Sequence, residues 1–264
     1  MKNATIKSRN SLEIFRDVVL ALFLREVKTR FGKFRLGWAW ALIEPLTHVA
    51  IFSLMWGLRG TWEILGHSAP LFIFLGIMPY NLFSNNMTRS MNAASANRGL
   101  FNFQQVRPIH TLISRWLLEL FIFVMVCAVF ILILWWFQVD VAVHDPGLVL
   151  EALFFLVILS IGAGLCTSGL VTMFPEMEKV VPMLTRPLYF LSGIFYAAAT
   201  LPSAAVKALA WNPIFCAIEL IREGYLGLPL SPYISETYLV KVALITLLVG
   251  LYLHKRTWIR MVAT

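Results

Sequence analysis

Between residues 36 and 254, apolar positions gather into six runs separated by short polar breaks. A helix needs about 20 mostly apolar residues to cross the hydrocarbon core of a bilayer. That length places spans near 36–58, 71–88, 110–137, 148–174, 179–199 and 237–254. The second run turns polar at its end, with Asn81, Ser84, Asn85 and Asn86. Ahead of the runs, Leu12, Phe15, Val19, Leu22 and Phe23 recur at helical spacing among Arg16, Asp17, Arg25 and Glu26. This predicts an amphipathic helix along the membrane surface. The same charges break up any leader-like apolar core, so a cleavable signal peptide is not expected.

The 200–236 connection is apolar for an external loop. It predicts two half-length helices, near 203–210 and 214–223, too short to span. A re-entrant dip into the outer leaflet and a compact external cap both fit. Turn chemistry marks other ends. Asp145-Pro146-Gly147 reads as an N-cap with proline in the first turn. Phe174-Pro175 ends the fourth span, because proline lacks the amide hydrogen a helix needs. Pro182 and Pro187 should bend the fifth.

The predicted fold is therefore an all-α integral membrane protein. It has six transmembrane helices, an N-terminal amphipathic interfacial helix, and short re-entrant or external helices before the last span. Residues 1–35 form a cytoplasmic N-terminal part and 36–264 one membrane domain.

Composition agrees with this pattern. Of the 264 residues 59% are hydrophobic and only 14% charged, and the mean hydropathy is +0.76. A soluble domain is closer to half apolar and a quarter charged. The net charge of +8 could suggest nucleic acid, but its distribution excludes that. The excess lies at the N-terminus, at Arg89, Arg98 and Arg107, and at Lys255, Arg256 and Arg260. The alternate connections are neutral or acidic. By the positive-inside rule both termini are cytoplasmic.

Candidate chemistry is sparse. No G-x-x-x-x-G-K-[ST] loop is present, so the chain is not expected to bind ATP. Ser160, Gly164 and Ser168 repeat every fourth residue, which suits close helix packing rather than a nucleotide loop. His144 and Asp145 are adjacent and do not face each other as a dyad would. Cys127, Cys166 and Cys216 show no metal or disulfide spacing. Glu44 and His48 lie one turn apart, and a packing or pore-mouth position outweighs a proton relay. No catalytic, cofactor or metal site is expected. Trp38, Tyr80, Phe83, Tyr189, Phe190, Phe195 and Tyr196 are channel candidates, since aromatic walls stack on sugar rings; ordinary packing is the alternative at each.

Several runs carry a family likeness. TRFGKFRLGWAWALIEPL (Thr29–Leu46) resembles the approach to the first span of ABC-2-type export permeases. GLFNFQQVRPI (Gly99–Ile109), FPEMEKVVPML (Phe174–Leu184), RPLYFLSGIFY (Arg186–Tyr196) and WNPIFCAIELIRE (Trp211–Glu223) resemble one branch. That branch is the inner-membrane permease of Gram-negative group 2 capsular polysaccharide exporters. The likeness implies a homodimer of six-span subunits with two copies of a separate cytoplasmic ATPase. ATP and Mg would sit on the ATPase, with no cofactor in this chain. The substrate implied is a lipid-linked, usually acidic polysaccharide. A periplasmic co-polymerase and an outer-membrane polysaccharide channel are the further partners.

By the same likeness, residues 97–108 match the region that couples to the ATPase. Leu100, Phe101 and Phe103 would offer apolar knobs, and Arg98 and Arg107 would pair with acidic rims. Glu176, in the turn at 174–179, is a second contact. Gln104 and Gln105 stand where a more basic or aromatic pair is expected. Arg25, Lys28, Arg30, Lys33 and Arg35 would suit the anionic head group at the cytoplasmic entrance, or plain anchoring to anionic membrane lipid. An O-antigen or teichoic acid export permease is the near alternative. A membrane-embedded glycan-modifying enzyme and a secondary transporter are the distant ones.

Overall fold

A computed structural model describes residues 10–32 and 37–263. Lys33 and Arg35 lie outside the described residues, and so does the side chain of Trp38. Among the described residues there are nine α-helices: α1 (Ser11–Phe31), α2 (Gly37–Gly57), α3 (Ala69–Met91), α4 (Pro108–Trp136), α5 (Pro146–Met173), α6 (Met177–Leu191), α7 (Ser203–Leu209), α8 (Pro213–Leu226) and α9 (Glu236–Ala263). The described strands are a two-residue pair, β1 (Glu63–Ile64) and β2 (His67–Ser68), turned by Leu65 and Gly66 at positive φ. The architecture is all-α.

By length and composition, α2, α4, α5 and α9 can cross a bilayer. α7 and α8 together pass the same test but are bent by 115° at their junction, as in a broken span or re-entrant loop. The other two predicted spans differ for separate reasons. α3 is about 34 Å long at the usual helical rise, yet its second half is polar. It needs little lipid-facing apolarity because α2, α4, α5 and α8 pack around it. Its polar side chains bond to protein instead: Asn86 Nδ2 donates to Ser160 Oγ at 2.8 Å, and Trp116 Nε1 donates to Ser90 Oγ at 2.9 Å. α6 stops at Leu191 rather than near 199. The chain then reverses through Gly193, whose φ of +73° favours glycine. At 15 residues α6 reaches only about 22 Å.

The cap expected at Asp145 is present, and a second one, not read from the sequence, stands at Asn212. Asp145 Oδ1 accepts from the amides of Gly147 and Leu148, opening α5. Asn212 Oδ1 accepts from the amide of Ile214, opening α8. α8 is buried along most of its length and packs on α3 and α5, while α7 is mostly exposed.

The tightest seam joins α5 to α9. A Cβ built on Gly162 would lie 2.6 Å from the Leu247 amide nitrogen, and one on Gly250 would lie 2.6 Å from the Gly162 carbonyl oxygen. Both contacts are to backbone, so neither helix can yield by a rotamer change. Gly162→Ala should therefore lower the thermal midpoint of the detergent-purified protein, at an overpacking cost of about 1–3 kcal/mol. Gly99→Ala, with open space around it, serves as the neutral control. Equal midpoints would show that this seam is looser than drawn.

Candidate functional site

The site is built where α1 meets α4. α1 lies alongside α4, with Phe15 edge-on to His110 (ring centroids 5.1 Å) and Phe23 edge-on to Phe121 (6.4 Å). Val19 and Leu22 are buried, while Leu12, Leu20 and Leu24 stay exposed. The predicted amphipathic helix thus presents one apolar side to protein and leaves another outward.

The charges along this contact match in register. Glu26 and Arg30 are one turn apart on α1, and Arg115 and Glu119 are one turn apart on α4. Laid side by side, each acid faces a base. Arg115 Nε donates to Glu26 Oε1 at 3.1 Å, and Arg30 Nη1 donates to Glu119 Oε1. Arg89, from the end of α3, reaches the same Glu119 oxygen at 2.7 Å. Arg115 Nη1 also donates to the Arg89 carbonyl at 2.5 Å. Glu119 is almost fully buried, and two guanidinium groups contact it there, as a buried carboxylate requires. Burial pushes the Arg30 pKa down from its ordinary value, and Glu119 opposes that shift.

These groups border two adjoining cavities. One of about 330 Å³ is edged by Glu26, Arg30, Asn85, Arg89, Arg115 and Glu119. A smaller one of about 130 Å³ shares Arg30, Asn85, Arg89 and Glu119 and adds Glu44 and His48. Glu44 and His48 are both exposed on α2, at the wall of this polar space. Of the proposed entrance residues, Arg30 lines both cavities and Lys28 is exposed. Arg25 turns elsewhere: it donates to Asn97 Oδ1 and lies 3.8 Å from Glu26. Asn97 is itself buried and donates to the Ala93 carbonyl at 2.7 Å. Arg25 therefore ties α1 to the 3₁₀ helix Ser95–Leu100, within the segment matched to coupling.

Sequence reasoning missed Glu26, Arg89, Arg115 and Glu119 as site residues. A signal existed. Glu119 is an isolated carboxylate in an apolar span, and such a group requires a partner. Its i,i+4 partner pattern with Arg115 mirrors that of Glu26 with Arg30.

The expected coupling residues divide. Arg98, Phe103, Arg107 and Glu176 are exposed, Leu100 is half-buried, and Phe101 is buried. Phe101 therefore supports the segment from inside, and Phe103, 63% exposed, is the apolar group available to a partner. Phe103→Ala should leave the yield and thermal midpoint of the protein unchanged, because it removes no buried contact. Phe101→Ala should lower the midpoint, since it leaves a cavity costing about 3–5 kcal/mol. Comparing the two midpoints in detergent checks the assignment.

The channel candidates also divide. Tyr80, Tyr189, Phe190 and Phe195 form one ring cluster with centroids 5.0–6.0 Å apart, and Phe52 of α2 joins it at 4.4 Å from Phe195. The Tyr80 hydroxyl donates to the Thr185 carbonyl, binding α3 to α6. Phe52, Trp56, Arg59, Phe190 and Phe195 edge a pocket of about 220 Å³. Tyr80 and Phe83 are both buried in the main core, so of the candidates in the ring cluster only those after α3 are open to a chain outside it. Tyr196 packs toward Phe215 and donates to the Phe190 carbonyl at 2.9 Å.

Long apolar helices around a buried polar seam, with a charged cavity at one end, are those of an integral membrane protein. The chain belongs to the ABC-2 type transporter family, whose model matches residues 17–226. It is 40% identical to the polysialic acid transport protein KpsM of Escherichia coli, over 94% of this chain and 96% of that one. It is 29% identical to the capsule polysaccharide export inner-membrane protein BexB of Haemophilus influenzae, over 94% and 93%. CtrC of Neisseria meningitidis serogroup B, of the same description, is 28% identical over 91% of each chain.

Proposed function

We propose that this chain is the permease subunit of an ATP-driven exporter that moves lipid-linked capsular polysaccharide across the bacterial inner membrane. The observation that carries the reading is likeness along nearly the whole chain to the polysialic acid transport protein. The capsule relatives favour this substrate over O-antigen or teichoic acid.

In this reading two copies of the chain pair, each crossing the membrane six times with both termini in the cytoplasm, and two ATPase subunits supply ATP and Mg. Residues 1–35 form the cytoplasmic part and 36–264 the membrane domain. Arg98, Phe103, Arg107 and Glu176 contact the ATPase. Leu100 and Phe101 hold the coupling segment in shape, and Arg25 links that segment to α1. Arg30, Arg89 and Arg115, together with Lys28, Lys33 and Arg35 of the same basic sequence segment as Arg30, receive the anionic end of the substrate. Tyr189, Phe190 and Phe195, with Trp38, guide the sugar chain, and Tyr80 backs them from the core. The 200–236 segment meets the periplasmic co-polymerase, which leads to the outer-membrane channel. The permease makes and breaks no covalent bond itself.

A direct test uses inverted inner-membrane vesicles loaded on their outer face with the lipid-linked polymer. ATP should render the polymer resistant to an added depolymerase as it enters the lumen. Polymer that stays fully digestible, in vesicles where permease and ATPase co-purify, would exclude the export role.

A further inference from the structure

The basic cavity already holds an anion, and it belongs to the protein. Arg30 Nη1 and Arg89 Nε converge on one oxygen, Glu119 Oε1, with Arg89 at 2.7 Å. The Glu119 side chain is 3% exposed, whereas those of Arg30 and Arg89 are 21% and 43% exposed. The carboxylate thus sits at the bottom of the cavity and the guanidiniums form its rim. Beside them Glu26 accepts from Arg115 at 3.1 Å and lies 3.8 Å from Arg25. Among the residues lining this cavity, the guanidiniums of Arg30, Arg89 and Arg115 meet the carboxylates of Glu26 and Glu119, which leaves it net positive by one charge. The cavity of about 330 Å³ is roughly ten times a water molecule's ~30 Å³ share of the liquid. It has room for a group much larger than water.

Guanidinium binds carboxylate and phosphate with the same planar donors. Two of them gathered around a single oxygen are arranged as a phosphoryl oxygen would need them. We propose that Glu119 is a resident counter-anion: it holds Arg30 and Arg89 in position until a phosphate-bearing head group displaces it from them. The exchange replaces one oxygen acceptor by another on guanidiniums that each carry five N–H donors, so the arginines need not be reassembled when the ligand arrives and Glu119 stays beside their charge rather than being stranded. It also sets a threshold, because a ligand must outcompete a carboxylate already in place. This rests on the reading of the cavity as the head-group entrance. A purely structural ion pair welding α1, α3 and α4 makes the opposite prediction: removing the carboxylate would loosen the site and weaken binding.

The test measures binding of dihexanoyl-phosphatidylglycerol, and separately of inorganic phosphate, to the purified permease–ATPase complex by calorimetry. Glu119→Gln should bind about tenfold more tightly than wild type, as expected when one charge-assisted competitor is removed. A gain confined to the phosphatidylglycerol arm identifies a lipid head group as the ligand. An equal gain with inorganic phosphate identifies the free anion. Unchanged or weaker binding by Glu119→Gln overturns the proposal. Should Glu119→Gln not fold, Glu119→Asp draws the carboxylate back by one methylene and should show a smaller gain; no gain there is equally fatal. The triple variant Arg30→Gln/Arg89→Gln/Glu119→Gln separates the two readings. If it loses binding while Glu119→Gln matches wild type, the entrance stands and the displacement falls. If it binds like wild type, the entrance reading itself falls.

Discussion

Arg222→Met should abolish accumulation of the folded protein. Arg222 is fully buried and is the centre of the only described bonding set joining α8 to both α3 and the chain after α6. Its Nη1 donates to the carbonyls of Gly193 (2.6 Å) and Tyr196 (2.9 Å), and its Nη2 to those of Ile194 (2.8 Å) and Phe72 (3.3 Å). Its guanidinium lies over the Phe72 ring at 3.8 Å. Glu219 completes the arrangement: one oxygen accepts from Arg222 at 3.1 Å and the other from the Ala198 amide at 2.8 Å. Methionine fills similar volume but leaves Glu219 as a buried unpaired charge and several carbonyls without donors. Removing one partner of such a pair costs about 3–5 kcal/mol, a large part of a typical total stability of about 5–15 kcal/mol. Lysine would keep the charge but lacks the planar fork that reaches four carbonyls. Monodisperse yield and thermal midpoint in detergent read the effect. Pairing Arg222→Met with Glu219→Gln should recover part of the loss. A wild-type midpoint in the single variant would contradict the account.

Neutralising the basic cavity should stop export without unfolding the protein. Arg30→Gln/Arg89→Gln alone would strand Glu119 as an unpaired buried charge, so the variant must also carry Glu119→Gln. With all three changed, the cavity keeps its polar lining and the Arg115–Glu26 pair, and loses the two guanidiniums that would meet the anion. The expected result is a membrane-inserted protein that still binds the ATPase, with capsular polymer held inside the cell and surface polymer reduced more than about tenfold. A tenfold effect needs the loss of only one charge-assisted contact. Surface polymer at the wild-type level would remove the cavity from the export path.

Much of the scaffold was legible in the sequence because its signals are local. Asp145-Pro146 announces a helix start through its own side chain and ring, and Asn212-Pro213 carries the same signal although it was not read. Phe174-Pro175 announces a stop in the same way. The early end of α6 was not legible: apolar residues continue past Leu191 to Ala199, and only the tertiary reversal at Gly193 closes the helix. The polar half of α3 gave a weak span signal because its environment is protein, which hydropathy does not describe.

The site was partly legible. Arg25 and Arg30 were recognised as part of a basic segment, but their partners are 72 and 89 residues away, at Asn97 and Glu119. No local pattern names such partners. Phe101 and Phe103 look alike in sequence, and the segment around them has no helical or strand period long enough to assign a face. Packing alone turns Phe101 inward and Phe103 outward. Among the aromatics, the spacing of Tyr189, Phe190 and Phe195 around a kink and a turn was informative. The inward position of Phe83 on buried α3 was not.

The central claim is that the cavity between α1 and the ends of α3 and α4 admits the anionic end of a lipid-linked polysaccharide. Asn85 lines both cavities, and Trp211, 78% exposed beside α8, lies away from them. Placing a photoreactive benzophenone side chain at each position in turn, in cells that make the polymer, tests the claim most directly. A polymer adduct is expected at Asn85 that vanishes when polymer synthesis is switched off, with far less at Trp211. No adduct at Asn85, in a protein that still exports polymer, would contradict it.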